Sequence, residues 1–108
     1  MVKFKIEGKE YKKNKPTVKD WRDYLGYKDE MDTKNFLTDA DTYDKVTAIL
    51  GEYVGAPTDA DYSDCDLLEV MTAYQEMRYD IYTVFTKAQE VWDRAGLKNV
   101  AAAESDAN

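Results

Sequence analysis

The chain contains no histidine and a single cysteine, Cys65. The first absence removes the commonest general base, the usual metal ligand and the base of a catalytic triad together. The second excludes an intramolecular disulfide and fits a reducing compartment. Without a histidine beside it, Cys65 lacks the usual partner for nucleophilic activation and reads as a small buried residue. Zinc takes about four N or S ligands, and the chain offers one. No stretch approaches the ~20 apolar residues that span a bilayer. The opening Val-Lys-Phe-Lys-Ile is no apolar signal segment behind a basic start. A soluble, intracellular protein with no membrane partner is expected.

Phosphate and calcium loops are missing too. Gly51 and Gly55 lie in Gly-Glu-Tyr-Val-Gly, without the strand or lysine a phosphate loop needs. The acidic run Asp59–Asp66 resembles a calcium loop only at first. With Asp59 at position one, Asp64 stands where glycine is needed and Val70 where a bidentate acid is needed. The run from Asp39 fails in the same way, with Asp44 and Leu50 at those positions. Both runs read as solvated helix starts. Carboxylate pairs suited to glycoside chemistry arise by chance in so acidic a domain. No catalytic, cofactor-binding or metal-binding residue is assigned, no cofactor is expected, and the chain reads as a non-enzyme.

What is present is charge, tyrosine and helical periodicity. The 108 residues suit one domain, and their net charge is −7. Residues 1–22 carry eight Lys or Arg against three acids, a local +5 that leaves −12 for the rest. An acidic body repels phosphates, so nucleic acid is not an expected partner. An acidic mimic of nucleic acid has the right overall sign, but the basic N-terminal segment argues against it. The charge split predicts salt-sensitive self-association, unless these lysines serve only as a solvated strand face and edge guard. The nine tyrosines suit half-buried positions and interfaces. Tyr74, Tyr79 and Tyr82 read first as core-edge residues.

Val2, Phe4 and Ile6 alternate with Lys3 and Lys5, the period of a half-buried strand. Glu7-Gly8 predicts a tight turn, and Lys9–Lys12 a return strand with Tyr11 inward. Thr17 and Asp20 predict a capped helix start. Val18, Trp21, Tyr24 and Leu25 follow at helical spacing, and Gly26 is the expected stop. Over 27–38, Met31, Phe36 and Leu37 are expected to bury, with Asp32 or Thr33 capping a helical turn. A second helix carries Tyr43, Val46, Ile49, Leu50 and Tyr53 and ends at Gly55-Ala56-Pro57.

The longest pattern runs from Asp64 to Gly96. Leu67, Met71, Tyr74, Ile81, Phe85, Ala88 and Trp92 share one helix face, widened by Val70, Met77, Val84 and Val91. So wide a stripe must be covered by this chain or by a partner. The fold class expected is α+β: an N-terminal β-hairpin packed on a mostly helical domain with a long C-terminal amphipathic helix. Residues 1–96 form the domain and 97–108 a disordered tail.

The order of these features resembles a known family. The opening V-K-F-K-I-E-G-K-E-Y hairpin and T-V-K-D-W helix start are similar to those of tail assembly chaperones of long-tailed, siphovirus-like phages and prophages of Gram-positive bacteria. The T-A-I-L-G-E-Y-V-G-A-P segment and the acidic D-A-D-Y-S-D-C-D-L-L-E-V start of the last helix fit as well, so the resemblance spans residues 2–96. It implies a non-enzymatic protein that binds the tape-measure protein in the host cytoplasm. Such a protein leaves before the virion matures, with the tail-tube protein as a further partner. It also implies a frameshifted long form, for which Leu97-Lys98-Asn99 permits a slippery heptamer. The same codons fit Lys12-Lys13-Asn14 and Thr33-Lys34-Asn35. The physical mode would be capture of a client helix in an apolar groove. Met71, Tyr74, Met77, Tyr82, Phe85 and Trp92 are the protein-binding candidates, part of the stripe being the domain's own core. The alternative is a small structural or adaptor protein of the virion tail or connector.

Overall fold

The computed structural model describes the backbone of residues 1–107 and the side chains of residues 1–95. Five elements follow one another: β1 (Val2–Ile6), β2 (Lys9–Lys13), α1 (Val18–Asp32), α2 (Ala40–Val54) and α3 (Leu67–Ala107). This is the α+β arrangement expected, a hairpin against helices with the longest helix last. The stop expected at Gly96 is not made, since the backbone of α3 runs on to Ala107; the side chains of the tail expected over 97–108 lie outside the described residues.

The strands pair antiparallel, Val2 with Lys13, Phe4 with Tyr11 and Ile6 with Lys9. Glu7 and Gly8 both have positive φ, 51° and 79°, which is what a two-residue hairpin turn matched to strand twist requires. Val2, Phe4 and Ile6 are buried while Lys3 and Lys5 face water. Strand β1 lies antiparallel to the first turns of α3. At one end the Met1 ammonium sits 2.6 Å from Asp80. At the other, the Lys5 amide donates to Glu69 Oε1 at 2.8 Å. The Cys65 thiol donates to the Lys5 carbonyl oxygen at 3.4 Å. These last two bonds occupy the free edge of β1, which would otherwise invite another strand.

Helix α1 opens with a reciprocal cap. The Thr17 amide donates to Asp20 Oδ2 at 2.7 Å, and the Asp20 amide donates to Thr17 Oγ1 at 3.3 Å. The helix does not stop at Gly26 but runs to Asp32, with Thr33 as its C-cap. An interior glycine costs about 1 kcal/mol. The added turn offsets this by burying Met31, seating Tyr27 edge-on to Tyr24 at 5.7 Å, and pairing Glu30 with Lys45 and Asp32 with Arg78. Asp32 and Thr33 therefore end a helix rather than begin one. The inward side of α1 is Asp20, Tyr24, Tyr27 and Met31. Val18, Trp21 and Leu25, spaced as a core stripe, stay exposed. Leu37 is exposed as well, against expectation, while Phe36 is half-buried with its ring 5.7 Å from that of Tyr74.

Asp39 caps α2 through bonds from the Asp41 and Thr42 amides, and Gly55 closes it in the left-handed conformation at φ 79°. Asp66 Oδ1 accepts from the Glu69 amide at 3.0 Å and so caps α3. The hydrophobic core joins the inner face of β1 to Met31 of α1, to Val46, Leu50 and Tyr53 of α2, and to Val70, Ala73, Tyr74, Met77 and Ile81 of α3.

Candidate functional site

The long stripe of α3 is cut in two at Ile81. From Val70 to Ile81 it is core; beyond, Val84, Phe85, Ala88 and Trp92 continue on the same face but are exposed. Strand length accounts for the cut. A five-residue strand covers roughly 17 Å, and the eleven residue steps from Val70 to Ile81 rise about 17 Å along a helix. The anchors at Asp80 and at Glu69 mark the two ends of that cover.

Past Ile81 the facing wall among the described residues is the start of α1. Pro16, Thr17, Val18 and Trp21 face Ile81, Val84, Phe85, Ala88, Gln89 and Trp92 across a groove of about 440 Å³. Its lining is almost wholly apolar. The outward set of Val18 and Trp21 thereby finds a role as one side of this groove. Trp92 is 72% exposed at its far end.

A second apolar strip lies on the solvent side of α3. Leu68, Met71, Gln75, Tyr79 and Tyr82 recur at steps of three and four, so they share a face, and that face is turned away from the one that meets the hairpin. Leu68, Tyr79 and Tyr82 are 72%, 69% and 62% exposed.

The six residues singled out from sequence therefore occupy three places. Tyr74 and Met77 are buried in the domain's own core and do not present to a partner in this conformation. Phe85 and Trp92 line the groove. Met71 and Tyr82 lie on the outer strip, Met71 half-buried. Sequence reasoning left out Val18, Trp21, Val84 and Ala88 as binding residues, and Leu68 and Tyr79 on the outer strip. Val18 and Trp21 on α1, and Leu68 and Tyr79 on α3, were signalled by a second helical period offset from the buried one, whereas Val84 and Ala88 lie on the α3 stripe itself.

Both apolar surfaces are rimmed by charge. On the groove's α1 wall, Asp20 is engaged by Lys13 at 2.9 Å, and Lys19 by Asp23 at 2.8 Å and Glu52 at 2.7 Å. Hydrogen bonds to Asp23 and then Glu52 hold the Lys19 ammonium well above its ordinary pKa. Lys15, next to Pro16, and Arg22, next to Trp21, are exposed and enter no ion pair among the described residues. On the α3 wall Asp93 Oδ1 accepts from Gln89 Nε2 at 3.0 Å, and Lys87, Glu90 and Asp93 enter no ion pair among the described residues, so the groove's rim carries both signs. Beside the outer strip, Met1 and Lys3 adjoin Leu68 together with the acids Asp66, Glu69 and Glu76.

The remaining polar residues serve local structure. Asp61 accepts from the Ser63 amide at 2.9 Å and its hydroxyl at 2.7 Å, closing a turn before α3. Burial, then the acids Glu69, Asp61 and Asp64, push the Cys65 thiol up, which disfavours the nucleophilic thiolate. Among the described residues no cluster of three metal-ligating side chains is found, and no helix is long and apolar enough to cross a membrane. Compared with family models, with curated proteins and with solved structures, the chain finds no match.

Proposed function

We propose that this chain is a non-enzymatic tail assembly chaperone that holds the tape-measure protein of a long-tailed phage during tail morphogenesis in the bacterial cytoplasm. The observation that carries the reading is the uncovered half of the α3 stripe. An apolar face that folding leaves open, walled by a second helix and rimmed by charge, suits an amphipathic client helix laid along it. Such a helix would set large apolar side chains at i, i+3/i+4 and i+7 between Trp21 and Trp92 and keep its polar face in water. Reversible holding also suits the modest size of the groove, because a client must later be released.

The test is co-expression with the tape-measure protein of the same phage, scoring soluble co-purification. The reading expects a soluble pair, a client insoluble alone, and loss of the pair with Trp92→Glu. A client indifferent to this chain, together with the chain's presence in purified virions, would replace the reading with that of a tail or connector component.

A further inference from the structure

We infer that α1 opens from the domain as a unit while the hairpin, α2 and α3 stay packed, and that only its closed position completes the Trp21–Trp92 groove. The inner side of α1 carries the argument. The core takes three apolar side chains from β1, three from α2 and five from α3, but from α1 only Met31. The other buried residue of α1 is a carboxylate, Asp20, and Tyr24 and Tyr27 are half-buried. The seam with α2 is not filled: Asp20, Asp23, Tyr27, Ile49, Glu52 and Tyr53 line a gap of about 70 Å³. Well-packed interiors leave few voids larger than a water molecule. Two hydroxyls at this interface, that of Tyr53 and that of Tyr74 close to Tyr27, are buried without a hydrogen-bond partner. Each recovers water when α1 leaves.

What holds α1 instead is charge. Asp20 pairs with Lys13 of β2 at 2.9 Å, Lys19 with Glu52 of α2 at 2.7 Å, Glu30 with Lys45 of α2, and Asp32 with Arg78 of α3. All but the first join side chains open to water, where salt screens a pair and its contribution is small. An element with few buried apolar contacts opens more readily than the core. Irregular segments flank α1 on both sides, residues 14–17 and 33–39, and let it swing. Once detached it unravels, because a 15-residue helix with an interior glycine is marginal in water. Eleven of the twelve core side chains stay behind on the other elements. Opening takes Val18 and Trp21 away from Phe85 and Trp92, so one wall of the groove goes and a helix held there is released. That release rests on the client reading; the opening belongs to the pure chain and is measured without a client.

Peptide-resolved hydrogen exchange on the full chain tests it. The amides of residues 22–31 are expected to exchange together, at least about tenfold faster than those of residues 46–53 in α2. Raising salt from ~0.1 M to ~1 M shortens the screening length from ~10 Å to ~3 Å and should speed them further. Gly26→Ala adds a Cβ that meets nothing within 4 Å. It should slow the same amides about fivefold, the usual gain in helix propensity. Amides of α1 as protected as those of α2 would mean that the helix leaves only when the whole domain unfolds, and overturn the proposal. Exchange of α1 that is indifferent to salt, or to Gly26→Ala, overturns it too. A chain that shows the fast, salt-sensitive exchange but holds no client on co-expression loses the client reading and keeps this one.

Discussion

Gly51 and Tyr62 meet so closely that a side chain at position 51 would force the Tyr62 ring to move: a Cβ there would lie 1.7 Å from the Tyr62 Oη and 2.9 Å from its Cζ. The contact packs the segment between α2 and α3 onto the buried face of α2, which brings the start of α3 beside the end of β1. Gly51→Ala is expected to destabilise the fold by about 1–3 kcal/mol, the usual cost of overpacking. Helix propensity alone would favour alanine by about 1 kcal/mol, so the sign of the change is itself informative. Combining it with Tyr62→Phe removes the nearer atom and should recover part of the loss. Urea denaturation of the four members of the cycle measures the coupling. A stabilised Gly51→Ala variant would refute the contact.

The hairpin turn holds the one residue other than glycine with positive φ among those described, Glu7 at 51°. A side chain there costs of order 1 kcal/mol or more unless its type tolerates the left-handed region. Asparagine does, and Asn-Gly is the favoured pair for such a turn. Glu7→Asn is therefore expected to raise stability by about 0.5–1 kcal/mol, read as a higher denaturation midpoint at unchanged slope. A lowered midpoint would show that Glu7 makes a compensating interaction.

Asp20 links the hairpin to α1, and its titration shows in the pH dependence of stability. Burial alone would raise its pKa. The hydrogen bond from Lys13, and those from the Thr17 amide and hydroxyl, outweigh burial and hold it below the ordinary value of 3.8. A depressed folded pKa means that the stabilisation is fully present above the unfolded pKa and is lost as pH falls through the folded one. Asp20→Asn should lower stability at pH 7 by about 1–3 kcal/mol, as for hydrogen bonds to a charged group. It should also flatten the acid limb below pH ~4. Thermal melts from pH 7 to pH 2 on both proteins test this; parallel acid limbs would remove Asp20 from the account.

Much of this fold is legible in the residues themselves. Period-two alternation over Val2–Ile6 marks a strand because one face must leave water, and Thr17 with Asp20 marks a helix start because amides there need acceptors. Gly26 misleads, because its local cost is smaller than the gain from Met31, Tyr27 and the Asp32–Arg78 pair, all tertiary. The division of the α3 stripe is hidden for a similar reason. Nothing in Val84 or Phe85 differs in kind from Val70 or Met77; only the reach of the hairpin decides which are covered. The groove wall at Val18 and Trp21 escapes notice because an outward apolar stripe and an inward one have the same spacing.

That division yields the sharpest test of the site. Met77 and Trp92 sit on one helix and one stripe, yet one is fully buried and the other 72% exposed. Met77→Ala removes packed volume from the core and should cost about 2–5 kcal/mol. Trp92→Ala takes away surface that is already wet, and should change stability by no more than about 0.5 kcal/mol. Binding should respond in the opposite order. Trp92→Ala, fully folded, is expected to lose the soluble client complex, because an exposed tryptophan lining an apolar groove is the kind of residue that dominates interfaces. Parallel melts and co-purification of the two variants separate the roles. If Trp92→Ala binds as the wild type does, the groove is not the client site. If it unfolds the domain, residues beyond Ile81 belong to the core and the groove reading fails.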